Sequence, residues 1–266
     1  MPHAIQLKKA YILCCCALSV LLLSACAKAP YTGRNQMIII SQEQELALGQ
    51  DSAKQVLQQE KKETGTARAK SVERVGRRIA AVAGRDDFSW EFTTIAKDDV
   101  PNAFCLPGGK VFVYTGLFEY AKDDAQLAAV IGHEVGHAIA RHGAERVSIA
   151  LMAQTGAAVG SIALGVSGAG QEMQEIATQA MGVGMNVGVI LPFSRTQEYE
   201  ADRVGLILMA KAGYDPHAAL NFWKAFAEQP GEKPAEFLST HPASENRIAA
   251  IRDLIPEAMQ YYKPQN

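Results

Sequence analysis

Five consecutive residues constrain this chain more than any other stretch: His133-Glu134-Val135-Gly136-His137. On a helix, positions four apart lie one turn above each other on the same face, so His133 and His137 can offer two imidazole nitrogens to one Zn²⁺. Glu134 sits one step round the helix. It cannot readily join the two histidines as a ligand, but it can take a proton from an attacking water, the role of a general base. Two further conditions follow: the stretch must be helical, and a third ligand must exist elsewhere.

The flanking residues meet the first condition. Asp123 or Asp124 can cap a helix start, Gln126 is spaced for a capping box with Asp123, and Leu127, Val130, Ile131, Val135 and Ile139 recur at helical spacing. Gly143, after Arg141 and His142, reads as the stop. Residues 194–212 read as a second helix carrying Glu198-Tyr199-Glu200-Ala201-Asp202. A catalytic zinc site needs three protein ligands and an open position. Glu198 and Asp202 share a helix face, so Glu198 is expected to bind the metal. Asp202 is then placed to accept the other N–H of a ligand histidine, with His133 the expected partner. Glu200 points elsewhere and is expected in solvent, remaining the fallback ligand. The three-histidine pattern HExxHxxGxxH requires Gly at 140 and His at 143, where this chain has Ala140 and Gly143. That excludes a third histidine ligand of this kind and leaves His142 either just outside the ligands or, as expected, on the surface.

The N-terminus reads as a targeting segment. Lys8 and Lys9 precede an apolar run at 10–23 that is too short to remain in a bilayer, and Leu23-Ser24-Ala25-Cys26 closes it. This ending resembles the lipobox of bacterial lipoproteins, which implies cleavage before Cys26, lipidation of Cys26 and, with Ala27 following, the outer membrane. The expected organisation is a signal peptide at 1–25, a lipid-anchored tether at 26–40 and a metallopeptidase domain at 41–266. Only Cys105 then remains as a free thiol, expected as a small buried strand residue. A net charge of -2 over 266 residues argues against nucleic acid as a partner.

Between these landmarks the chain reads as α+β and mainly helical. Helices are expected at 41–59, opened by Ser41 with Gln44, and at 67–83; a strand is expected at 88–96. Residues 103–106 and 110–115 flank Pro107-Gly108-Gly109, a hairpin signal, placing a small sheet beside the zinc helix. The stretches 147–171 and 176–194 carry no charged residue. Their Gly, Ala and Ser content favours two helices with a mobile connection at 165–170 that gates the site over a membrane span.

Three segments in order, NAFCLPGGKVFVYTGL, HEVGHAIARHGAER and LPFSRTQEYEAD, resemble the zinc metallopeptidase family that includes the CAAX prenyl proteases, over roughly residues 36–255. The resemblance implies one Zn²⁺ per chain and an edge strand at Asn102, Ala103 and Phe104 that pairs with an extended substrate. His241 and Arg247 match the family's HPxxxxRI-like segment. There His241 is expected to donate to an oxyanion or to fill the open metal position, and Arg247 to hold a substrate carbonyl or a carboxylate. The implied function is an endopeptidase at the periplasmic face of the outer membrane that degrades misfolded or misassembled envelope proteins, with the outer-membrane assembly machinery as a candidate partner. The rival reading is a zinc-containing chaperone or assembly factor with little proteolysis.

Overall fold

The computed structural model describes residues 26–163, 193–228, 236–242 and 244–264. The expected signal peptide and the expected gating connection at 165–170 lie outside them. Among the described residues no helix is long and apolar enough to cross a membrane.

The architecture is mainly helical with two small sheets. A two-stranded hairpin, β1 (Cys26–Lys28) and β2 (Asn35–Met37), comes first. Then follow α1 (Gln42–Gln59), β3 (Lys62–Glu63), α2 (Ala67–Val82), β4 (Glu91–Ile95), β5 (Ala103–Leu106) and β6 (Lys110–Tyr114). The second half holds α3 (Asp124–Ile139), α4 (His142–Ala163), α5 (Arg195–Lys211), α6 (His217–Ala227), α7 (Glu236–Thr240) and α8 (Glu245–Met259). The larger sheet has the order β3-β4-β6-β5, with β4 parallel and β5 antiparallel to β6, so β5 is an edge strand. Gly108 (φ 78°) and Gly109 (φ 81°) turn the β5–β6 hairpin through the left-handed region that glycine adopts without strain.

Side chains set the helix starts. Ser41 with Gln44 and Ser194 with Gln197 form capping boxes at α1 and α5. At α3 the cap is Asp123, whose carboxylate accepts from the Gln126 N–H, while the Gln126 side chain accepts from the Lys122 N–H, one residue earlier than a box requires. The expected stop at Gly143 is corrected. The left-handed residue that ends α3 is Arg141 (φ 57°), and Gly143 lies inside α4. Arg141 is held in that conformation by the buried Glu45, to which its Nε donates at 2.7 Å. Such a bond offsets a cost of about 1–2 kcal/mol for a side chain in this region.

The core is built on α3. Its apolar face, including Leu127, Val130, Ile131 and Val135, packs with Val72, Val75 and Ile79 of α2 and with Val204 and Leu208 of α5. α3 and α5 approach backbone to backbone at Gly132 opposite Gly205 and Gly136 opposite Ala201, where a Cβ on any of the three glycines would meet backbone atoms at 2.8–2.9 Å. This closeness brings the two helices that carry the candidate ligands together.

Residues 26–40, expected as a lipid-anchored tether, lie against the body of the domain. Beyond forming β1 and β2, they pack on the helical body: Ile38 is buried, and the buried Gln36 donates from Nε2 to the Ala140 carbonyl at 2.6 Å, just past the end of α3.

Candidate metal centre

His133, His137, Glu198 and His241 each bring one donor atom to a common place, all within 4.8 Å of one another and all buried. α3 supplies both expected imidazoles, α5 supplies Glu198, and the turn after α7 supplies His241. His133 Nε2 lies 3.1 Å from His137 Nε2 and 3.1 Å from His241 Nδ1. Glu198 Oε1 lies 3.3 Å from His137 Nε2 and 2.9 Å from His241 Nδ1. Donors bonded tetrahedrally to zinc at about 2.0–2.1 Å stand roughly 3.3 Å apart, so these separations suit one ion. Two buried oxygens, Glu134 Oε1 and Glu198 Oε2, have no hydrogen-bond partner among the described residues. Glu198 Oε2 does lie 2.7 Å from Arg247 Nη1, an ion pair without hydrogen-bond angles. Buried carboxylate oxygens that accept no hydrogen bond, beside three imidazoles, suit a cation site.

Protonation states of His133, His137 and Glu198 agree. Burial holds the His137 ring well below the usual imidazole range and lowers His133, leaving lone pairs on neutral rings. Burial pushes Glu198 upward, but His241, Arg247 and His137 outweigh it and keep the carboxylate ionised. Glu134 is raised to about 7, chiefly by burial. For His241 burial acts downward, and the Glu198 and Glu134 charges reverse it into a raised value.

The surrounding contacts orient the candidate ligand His133. Asp202 Oδ1 lies 2.9 Å from His133 Nδ1, which directs the proton to Nδ1 and leaves Nε2 as the donor atom. Arg247 is buried, its Nε and Nη2 both 2.8 Å from Asp202, with its guanidinium 3.9 Å from the Trp223 ring centre. Of the two partners expected for Arg247, a substrate carbonyl or a carboxylate, the structure supplies carboxylates.

Two expectations of solvent exposure are corrected, and for His142 the alternative, a place just outside the ligands, is the one found. His142 is fully buried, with Nδ1 2.8 Å from His137 Nδ1. Glu200, expected in solvent, is buried too, its Oε2 2.9 Å from His142 Nε2. The physical reason is cover: the face of α5 opposite Glu198 lies under residues 32–34, where Thr32 and Arg34 both donate to Glu200.

The edge strand runs beside Glu134. The Cys105 backbone N–H donates to the Glu134 carboxylate, and the Ala103 N–H donates to Asn102 Oδ1 at 2.8 Å. The register pairs Phe104 with Phe112, and the Tyr114 N–H donates to the Asn102 carbonyl; Ala103 and Cys105 therefore turn their backbone groups away from β6. Their N–H groups are taken, by Asn102 and Glu134, and their carbonyls point to the side of β5 away from β6, where Ala103 is buried. The Phe104 ring stacks at 5.0 Å on Phe112.

Comparison with known proteins agrees with the geometry. Residues 66–255 match peptidase family M48. The chain is 37% identical over 238 residues to the mitochondrial metalloendopeptidase OMA1 of Schizosaccharomyces pombe, covering 86% of this chain and 66% of that protein. It is 30% identical over 246 residues to metalloendopeptidase OMA1 of Homo sapiens, covering 87% and 46%. It is 31% identical over 185 residues to the beta-barrel assembly-enhancing protease of Escherichia coli, covering 67% and 37%. The chain thus spans from about a third to about two thirds of the length of these relatives.

Proposed function

The chain belongs to peptidase family M48, and from that premise we propose that it is a zinc-dependent endopeptidase acting on unfolded or misassembled proteins. The observation that carries the reading is the convergence of His133, His137, Glu198 and His241 on one point beside Glu134. His133, His137 and Glu198 would hold the ion, with His241 as a fourth donor. Zinc, when bound, supplies a Lewis acid that polarises the scissile carbonyl and acidifies water.

The chain's own residues do the rest. Glu134 takes the proton of the attacking water and delivers it to the leaving amine; its partner-free Oε1 is the atom available for this, while the Cys105 N–H steadies the carboxylate. Asp202 fixes the His133 tautomer, and Arg247 fixes Asp202. The Ala103 carbonyl offers an acceptor for an extended substrate backbone along β5. His241 Nδ1 sits among the donors and Nε2 lies 3.5 Å from Glu134 Oε1, so His241 must swing aside to open the fourth position before it can face an oxyanion.

The proposed site of action is the periplasmic face of the outer membrane, with Cys26 lipidated. Support comes from the lipobox-like Leu23-Ser24-Ala25-Cys26 and from similarity to a relative named for beta-barrel assembly. Digestion of casein tests the activity: wild-type cleavage should stop with chelator and return with zinc, while Glu134→Gln should keep zinc and cleave nothing. Full cleavage by Glu134→Gln would remove the base assignment, and chelator-resistant cleavage would remove the metal. Zinc binding with no cleavage by wild type would favour the chaperone reading. Mass spectrometry of membrane-extracted protein tests the anchor, since an unmodified residue 26 in mature protein refutes it.

A further inference from the structure

The contacts of His137 do not stop at His142. For His137 Nε2 to present a lone pair among the metal donors, its proton must sit on Nδ1, and that N–H then donates to His142 Nδ1 at 2.8 Å. His142 must in turn carry its proton on Nε2, which donates to Glu200 Oε2 at 2.9 Å. Glu200 therefore fixes two tautomers in series, as Asp202 fixes one for His133.

Glu200 is itself held from the N-terminal hairpin. Arg34 donates from Nε to Glu200 Oε2 at 2.9 Å and through Nη1 and Nη2 to both oxygens of Glu145 at 2.8 and 2.7 Å. Thr32 Oγ1 donates to the other Glu200 oxygen. Glu145 also accepts from Gln197 Nε2 at 2.8 Å, and Gln197 directly precedes the ligand Glu198. One guanidinium thus ties together the supports of two ligands, a forked arrangement that lysine cannot reproduce.

We propose that Arg34 and Thr32, acting through Glu200 and His142, are positioning residues for the metal ligand His137, so that the N-terminal hairpin is a working part of the metal centre. The inference rests on the zinc reading of the same site. It assigns residues 26–36 a role that a passive tether lacks: a chain shortened past Arg34 would keep every ligand and bind metal poorly.

The test is zinc affinity, measured by competition with a chromophoric chelator, on full-length His142→Phe and Arg34→Met. His142→Phe keeps a ring of similar shape, and should weaken zinc binding about 10- to 100-fold, the range for residues that orient metal ligands. Arg34→Met should give a smaller loss in the same direction. Arg74→Met, which removes a surface partner of Asp124, should leave affinity unchanged. Melting temperatures with and without zinc separate positioning from plain stability: the zinc-induced rise should shrink in both variants. If the apo proteins melt lower but zinc raises them as much as wild type, the hairpin is only structural and the inference fails. Unchanged or tighter zinc binding by Arg34→Met also overturns it, and wild type that binds no zinc overturns this inference and the zinc reading together.

Discussion

Gly205→Ala tests whether the α3–α5 contact sets the metal geometry. A Cβ at 205 would stand 2.8 Å from the Gly132 carbonyl carbon and the His133 nitrogen and 2.9 Å from His133 Cα. Non-bonded carbons prefer a separation of about 3.5 Å or more, so the helices must part by roughly 0.7 Å. Backbone lies on both sides, and no side chain can rotate away. Overpacking of this kind costs about 1–3 kcal/mol; alanine's better helix propensity returns about 1 kcal/mol. Taking the upper end for a rigid contact leaves a net loss near 2 kcal/mol, or a melting point about 4–8 °C lower for a domain of this size. Metal binding should suffer more, because a 0.7 Å parting separates Glu198 from His133 and His137 by well over the roughly 0.2 Å that a zinc site tolerates. Calorimetry of the apo protein and zinc competition would read both effects. Gly143→Ala is the control, since its Cβ would meet nothing closer than Pro107 Cγ at 4.0 Å. A Gly205→Ala protein that melts and binds zinc like wild type would refute the claim that backbone contact sets the ligand spacing.

Further outcomes follow from the buried charges. Arg247→Met strands Asp202 and Glu198 beside apolar Trp223 and should cost about 3–5 kcal/mol in urea unfolding of the apo protein; a loss below about 1 kcal/mol contradicts the pairing. For Glu200, burial pushes upward, but hydrogen bonds from His142, Thr32 and Arg34 outweigh it and bring the carboxyl to about 2. A lowered folded-state value gives stability that is present above the unfolded value near 4.5 and lost as pH falls towards 2. The stability gap between wild type and Arg34→Met should accordingly be widest at neutral pH and close between about pH 4.5 and 2; a gap independent of pH argues against the ion pair. Zinc should stabilise the wild type by about 2.7 kcal/mol at a hundredfold excess over its dissociation constant, and Glu198→Ala should abolish that gain.

Local spacing made the ligand helices legible, and distance along the chain hid their supports. His133, His137 and Glu134 fall within one helical turn and a half, and the i, i+4 relation of Glu198 to Asp202 survives folding because α5 is a regular helix. The same rule misplaced Glu200, because a helix wheel says which face a residue is on but not what covers that face. The cover comes from residues 32–34, more than 160 positions away. His142 was misplaced for a related reason: Arg141 in the left-handed region reverses the chain after α3 and turns the next side chain back towards His137. Nothing in the residue type of Arg141 announces that turn; its side chain there pairs with Glu45 on α1. The edge position of β5 was readable only through a family resemblance, since a hairpin signal does not tell which of its strands the rest of the sheet joins.

The charges buried around the site give an argument for a cation that does not use ligand geometry. Glu134, Glu145, Glu198, Glu200 and Asp202 are all buried, and five carboxylates face three guanidiniums, those of Arg34, Arg146 and Arg247. Glu45 and Arg141 cancel each other nearby. With all five carboxyls ionised, the balance among the described residues is two negative charges in excess, in a place where uncompensated charge costs several kcal/mol per ion. One divalent cation restores neutrality. The protein's other recourse is a proton, and the raised values of Glu134, to about 7, and of His241 mark two groups able to take it. Metal and proton therefore compete for one need, and His241, able to serve as a neutral donor or a cation, stands where the two alternatives meet. Arg34 belongs to a different part of this balance: Glu200 and His142 lie between it and the donors, so removing it loosens His137 more than it recharges the site.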